Sequence, residues 1–319
     1  MPIIALIIGI LFLLWLICMF IVAYILFSMH LKRRKPETWA RVDYGETPIQ
    51  DEMYKRGKVW SQESALYMKE VQIENDGLKL FGEFYDFGYD KVALIVPGRS
   101  DSLTYSYYFA KPYVESGYNI LVIDMRAHGL SEGKYNTIGC KEYRDILKWI
   151  EFIHEEYHMQ KVVIHALCVG AQSVIRAITN EACPKYVEAF VVEGMYTTFY
   201  ETFKTHAIHL GYPCFPAVQL IDVWTRIFIG QTIFYGPINE IHKINIPFLM
   251  LHGKQDVFSL PEKAEVLYEK CGSAVKELAW FEEGAHSQLR ISNEKLYDEA
   301  ICSFLRKVLS GETKEDQEK

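Results

Sequence analysis

The chain has no CxxC pair and no cysteine–histidine spacing that fits a metal, so neither a metal knuckle nor a dithiol centre is legible. Its seven cysteines are odd in number and scattered, which reads as separate thiols in a reducing compartment and not as a disulfide framework. Clustered basic residues are missing except at Lys32, Arg33, Arg34 and Lys35, and the net charge is -7, so a nucleic-acid partner is not expected. Internal repeats are absent, and only residues 311–319 have the composition of a disordered tail. Charge itself is missing from residues 2–27. A helix of about 25 residues at ~1.5 Å each is longer than a hydrocarbon core of ~30 Å.

That segment lacks the basic start and the small-residue cleavage site of a secretory signal, so an uncleaved membrane anchor is expected over residues 1–31. The basic cluster that follows it predicts a single-pass protein of the cell membrane with its main domain on the cytoplasmic face. Residues 32–64, mixed in charge and carrying Trp39, Tyr44, Tyr54 and Trp60, read as a juxtamembrane linker that packs in part on the domain or the membrane interface.

What remains is long enough for one domain with a full core, expected at residues 65–310. Strand-like runs occupy residues 67–73 and 78–87, joined at Asn75-Asp76-Gly77, an Asp-Gly hairpin signal. Further buried strands are expected at 92–96, 119–124, 162–165, 189–192, 248–252 and 276–281, with helices at 105–115, 140–155, 171–181, 262–270 and 293–309. An antiparallel start followed by repeated βα units implies a mostly parallel eight-stranded sheet covered on both faces, an α/β fold. Sites in such sheets form at the carboxyl ends of the strands.

At one such end stands Ala166-Leu167-Cys168-Val169-Gly170. A nucleophile between a buried strand and a helix sits on a tight turn that needs small neighbours two residues to each side, and Ala166 and Gly170 meet that need. The dipole of the following helix favours a thiolate at Cys168. The plainer alternative is a buried structural cysteine. An acid and a histidine are then expected after later strands. Asp256, in Leu251-His252-Gly253-Lys254-Gln255-Asp256, and His286, in Glu283-Gly284-Ala285-His286-Ser287, fill those places, each otherwise a turn or helix-entry residue. Glu193, ending the strand after the elbow helix, is the alternative acid. The oxyanion donors are expected to be the backbone N–H groups of Val169 and, in Val96-Pro97-Gly98-Arg99-Ser100, of Arg99. The Arg99 side chain either meets an anionic substrate group or is solvated, and His165 reads as a core histidine.

Together these residues resemble the α/β-hydrolase superfamily, in particular bacterial membrane-anchored lipase-like and serine-aminopeptidase-like hydrolases, over about residues 69–309. The Asp124-Met125-Arg126-Ala127-His128-Gly129-Leu130-Ser131-Glu132-Gly133 loop is similar to one that is structural in such hydrolases, with Asp124 and Arg126 bracing turns. Pro97 stands where many relatives have histidine, and Cys168 where they have serine. The resemblance implies an α/β-hydrolase fold with a small helical lid, here residues 195–243, which carry Phe199, Tyr200, Phe203, Tyr212, Phe215, Trp224, Phe228, Phe234 and Tyr235 as candidates for an apolar acyl pocket. It implies hydrolysis of carboxylic esters or thioesters, the favoured substrate being lipid-like, by a Cys168–His286–Asp256 triad through an acyl-enzyme, with no metal or cofactor. Two alternatives stand beside it. One is a catalytically silent binding or thiol-sensing protein; the other is an aminopeptidase-like peptidase, for which Glu201, Asp222 and Glu240 are the lid's acidic residues.

Overall fold

The computed structural model describes residues 2–34, 47–99 and 101–310. Lys35, Trp39, Tyr44, Ser100 and the expected tail at 311–319 lie outside the described residues.

Eight strands form one sheet: β1 (Met68–Asn75), β2 (Leu78–Tyr85), β3 (Lys91–Val96), β4 (Asn119–Ile123), β5 (Lys161–Leu167), β6 (Val187–Glu193), β7 (Phe248–Gly253) and β8 (Lys276–Phe281). Their order is β1-β2-β4-β3-β5-β6-β7-β8. Strand β2 is antiparallel to β1 and β4, and the pairs from β4 through β8 are parallel. The β1–β2 hairpin turns at Asp76 (φ 51°) and Gly77 (φ 71°). Two left-handed central residues are the backbone of a type I′ turn, which Asp-Gly favours because its twist matches that of paired strands.

Alternation along the central strands divides the core. Val92, Leu94, Val162, Ile164, Phe190 and Met250 face one side with Trp149, Ile150 and Val174. Ala93, Ile95, Val163, Val191, Leu249 and Leu251 face the other with Tyr113, Tyr297, Ile301 and Phe304. The first layer is supplied by α5 (Glu142–Tyr157), α6 (Gly170–Ile178) and α9 (Pro261–Lys270), and the second by α3 (Leu103–Ser106), α4 (Lys111–Glu115) and α11 (Glu294–Ser310). The single helix expected at 105–115 is broken, with a 3-10 turn at Tyr107–Phe109 before α4. Pro112 accounts for the break, since it has no N–H for an i→i−4 bond and fits only the first turn of a helix.

Within the expected linker, residues 48–63 form a helix, α2 (Pro48–Glu63), capped by the Thr47 side chain. Met53 is fully buried in the second layer, and a Cβ on Gly57 would stand 2.9 Å from the Tyr108 backbone nitrogen, so this helix packs on the domain. The long apolar helix α1 (Pro2–Leu31) is exposed over its first turns and buries Ala23, Phe27 and Leu31 near its end. Those three share a third cluster with Tyr196, Phe199 and Phe203 of the lid and with Val169. The lid itself contains α7 (Phe199–His209) and α8 (Ala217–Ile229).

Arg126 holds the turn after β4 to α5 through two bonds of 2.6 Å to Asp145, both side chains almost fully buried. Asp124 accepts the Leu103 and Leu130 N–H groups, each at 2.8 Å. Arg126→Ala leaves the Asp145 carboxylate buried without its counter-charge, a loss on the order of 3–5 kcal/mol. Thermal unfolding of purified protein is expected to show a Tm lowered by several degrees, whereas an unchanged Tm would contradict the role given to this pair.

Candidate active site

The carboxyl ends of β5, β7 and β8 bring three side chains together. Cys168 follows β5 with φ 47°, a left-handed conformation that a non-glycine residue holds only where its surroundings enforce it. Its N–H donates to the Glu193 carbonyl at 2.9 Å, and its own carbonyl accepts from Ala171 N–H at 3.1 Å. Close packing explains the small neighbour: a Cβ on Gly170 would lie 2.7 Å from the Pro97 carbonyl oxygen. The thiol is half-buried beneath the lid cluster.

His286 enters from the loop after β8. Its Nδ1 lies 2.7 Å from Asp256 Oδ2, and the Cys168 sulfur is near enough to act on the charge of the ring, with Nε2 the nitrogen that Asp256 leaves unengaged. Asp256 is buried, with Oδ1 accepting from Phe258 N–H at 2.9 Å and Ser259 N–H at 2.8 Å. Burial disfavours charge on both groups, yet each favours the charged form of the other. Burial pushes His286 down, but the Asp256 carboxylate and the Cys168 sulfur together hold it well above the usual imidazole value. Burial likewise pushes Asp256 up, and the facing imidazole and backbone N–H bonds bring it below the usual carboxylate value. Asp256 and His286 are therefore paired, and Cys168 stands at the same edge of the sheet, at the carboxyl end of β5.

The loop after β3 lies against the elbow, since a Cβ on Gly98 would be 3.6 Å from Cys168 Cβ. Arg99 follows directly, and its carbonyl is tied to His128 Nε2 at 2.8 Å. Val169 is buried at the start of α6, and among the described residues its N–H has no acceptor within the protein. Tyr196, on the strand-β6 side, is buried with an unpartnered hydroxyl. Among the described residues no three His, Cys, Asp or Glu side chains converge as metal ligands.

Glu193, the alternative acid, is directed elsewhere. Its Oε2 accepts from Tyr297 Oη at 2.6 Å and its Oε1 from Leu289 N–H at 3.2 Å, so neither oxygen bonds the imidazole. Full burial raises its carboxyl to about 7. Because the folded value exceeds the unfolded one, this group's contribution to stability is present in full below about 4.5, the ordinary value, and is lost as pH rises towards 7. Glu193→Gln is expected to stabilise the protein at pH 8 relative to pH 5 by about 2–3 kcal/mol compared with the parent. Thermal unfolding at the two pH values checks this, and parallel curves for parent and variant would contradict it. His165 is a core histidine with a difference: its Nε2 stands 3.4 Å from Tyr297 Oη, and its Nδ1 is buried without a partner.

Two residues that the pattern of the sequence did not single out shape the site. Gly194 (φ 64°) clears space for the imidazole, because a Cβ there would lie 3.0 Å from His286 Cε1. Phe258 packs edge-on to His286, with centroids 5.9 Å apart, and stacks on His206 of α7 at 3.9 Å. Thr205 Oγ1 also donates to the Phe258 carbonyl at 3.1 Å, which couples the lid to the acid loop. Of the lid aromatics, Phe199 and Phe203 are buried over the elbow, Trp224 and Phe228 pack on α1, and Tyr212 and Phe215 point outward. Glu201, Asp222 and Glu240 do not form one acidic cluster: Asp222 bonds Arg226 and Thr232, and Glu240 bonds Gln172 and Arg176.

Residues 238–294 match the family described as serine aminopeptidase, S33, a segment that holds Asp256 and His286 but not the elbow. An uncharacterized Bacillus subtilis protein, YqkD, is 26% identical over 209 residues, covering 64% of this chain and 66% of the relative. The alpha/beta hydrolase domain-containing protein 17C of Mus musculus is 22% identical over 190 residues, 59% of this chain and 50% of that protein. The chain thus spans about half to two thirds of the length of the curated relatives it matches. An esterase of Pyrococcus furiosus superposes with a TM-score of 0.64 at 21% identity, over 77% of this chain and 93% of that one. An esterase of Exiguobacterium antarcticum gives 0.54 at 17%, over 75% and 100%. These likenesses establish the fold.

Proposed function

From the premise that this chain is a member of the α/β-hydrolase superfamily, we propose that it is a membrane-anchored hydrolase of carboxylic esters or thioesters with an apolar acyl group. The observation that supports the reading is the Asp256–His286 pair standing beside Cys168 at the strand ends. Cys168 sulfur attacks the carbonyl carbon as its proton passes to His286 Nε2. The oxyanion forms against the Val169 and Arg99 N–H groups. His286 then returns the proton to the departing alkoxide or thiolate, leaving a thioester on Cys168. Water, deprotonated by His286, attacks that thioester; the C–S bond breaks, the acid leaves, and His286 returns the proton to the Cys168 sulfur. Asp256 holds the imidazole with Nδ1 protonated, so that Nε2 is the basic nitrogen.

Support for the anchor comes from the far end of α1. Its 30 residues contain no Asp, Glu, Lys or Arg, while Ala23, Phe27 and Leu31 are built into the lid cluster. Arg33 donates to the Gly129 carbonyl at 2.9 Å and to that of Ser131. Removing the helix as a signal would strip these contacts. The basic residues Lys32, Arg33 and Arg34 favour a cytoplasmic catalytic domain. Support for an apolar acyl group comes from Phe199, Phe203 and Tyr196 packed over the elbow.

A series of p-nitrophenyl or coenzyme-A-like thiol acyl substrates tests the specificity. With up to about 0.8 kcal/mol available per buried methylene, kcat/KM is expected to rise at least about tenfold from a four-carbon to a ten-carbon acyl chain. Hydrolysis of short chains with long ones ignored would contradict the reading.

A further inference from the structure

The lid helix α8 runs beside α1 and in the same direction. Trp224 Nε1 donates to the Phe20 carbonyl at 3.1 Å. Ring contacts then descend in step: Phe20–Trp224 at 6.3 Å, Tyr24–Trp224 at 5.1 Å, Tyr24–Phe228 at 6.2 Å and Phe27–Phe228 at 5.5 Å. Rising numbers on one helix meet rising numbers on the other. Ala217, where α8 begins, therefore lies about 10 Å farther along α1 towards its first residues than Trp224 does.

If α1 spans a bilayer, that displacement has a consequence. A hydrocarbon core of ~30 Å takes about 20 helical residues, and when centred on the uncharged run 2–27 it includes Phe20. The first half of α8 and the connection that precedes it then sit at hydrocarbon depth. Their chemistry suits that place. Residues 207–221 contain no Asp, Glu, Lys or Arg, and Ile208, Leu210, Tyr212 and Phe215 are 60%, 64%, 66% and 75% exposed. The first charge on α8, Asp222, is turned inward, accepting from Thr232 Oγ1 at 2.6 Å and Ile233 N–H at 2.8 Å. The exposed charge, Arg226, comes only beyond Trp224, on the side of the catalytic domain.

We propose that residues 207–221 form a second membrane element, inserted into the acyl-chain region of the same leaflet through which α1 leaves the bilayer. The lid cluster would then connect that leaflet to the elbow, since it includes Phe27 of α1, Ile221 of α8 and Val169 beside Cys168. An acyl group would reach the sulfur from the lipid, and the substrate would be one already resident in the membrane. This rests on the anchoring reading above and not on the hydrolytic one.

The test uses the full chain reconstituted in phosphatidylcholine bilayers, with and without bromine on the acyl chains. Phe215→Trp and Leu210→Trp place the probe on exposed lid positions that the fold does not depend on. Val275→Trp places it at the opposite end of the sheet, just before β8. The emission added by either lid tryptophan is expected to fall by at least half in brominated lipid and that of Val275→Trp to be unaffected. Flotation of the parent protein with the vesicles after carbonate washing separates the two ideas. Protein that floats while the lid probes are quenched no more than Val275→Trp overturns the lid insertion alone; protein that does not float overturns the anchor and the insertion with it.

Discussion

Replacing Cys168 by alanine is expected to lower kcat/KM on a water-soluble acyl thioester by at least about 10⁴-fold while leaving the fold intact. Alanine keeps the Cβ, the left-handed backbone of the elbow and both of its hydrogen bonds, from Cys168 N–H to Glu193 and from Ala171 N–H to the Cys168 carbonyl. What it removes is the sulfur that stands beside His286. The residue that remains beside the oxyanion donors has no electron pair to offer a carbonyl carbon, so covalent catalysis ends and only binding and oxyanion stabilisation persist. Kinetics of the parent and variant, with circular dichroism to confirm folding, measure this. Activity that survives within tenfold would show that another residue attacks, or that His286 activates water directly.

Asp256→Asn is expected to cost about 10³–10⁴ in kcat with little change in stability, by a route that touches no reacting atom. Asp256 Oδ1 accepts two backbone N–H groups, from Phe258 and Ser259, and Oδ2 accepts from His286 Nδ1. An asparagine can keep the two backbone bonds only by placing its carbonyl oxygen at the Oδ1 position. Its NH2 group then faces His286 Nδ1, which must become the acceptor. The ring proton moves to Nε2, where it faces the Cys168 thiol, and the base is lost. The imidazolium also loses the carboxylate that holds its pKa up. A pH–rate profile distinguishes this from a general disturbance: the variant is expected to recover part of its rate at high pH, where thiolate forms without a base. A uniform loss across pH would point to a structural role for Asp256.

How much of this was legible in the sequence depended on whether a feature was local. The hairpin at Asp76-Gly77 needs two left-handed residues in a row, and that requirement is written in two letters. The elbow needs a small residue where α6 passes the Pro97 carbonyl, so Gly170 reveals it. The order after strands points to Asp256 and His286, because parallel strands deliver their following loops to the same edge. The order along the chain favours Asp256 over Glu193, but it is side-chain direction, invisible in the letters, that separates the one that meets His286 from the one that meets Tyr297. Gly194 and Phe258 act through contacts made across the fold, and no spacing announces them. Helix α2 buries only Met53 and Gly57, too few positions to show a periodic face. In α1 all of residues 2–27 are uncharged, so nothing in those letters distinguishes the side that docks on the lid from the side that is exposed.

The most direct test of the central claim is to catch the acyl group on its residue. Rapid acid quenching of the protein with an excess of a slowly hydrolysed acyl thioester, followed by intact-mass and peptide mass spectrometry, should show one added acyl group located on Cys168 and none in Cys168→Ala. Continuing turnover with no acylated protein, or an acyl group on any other residue, would contradict the account.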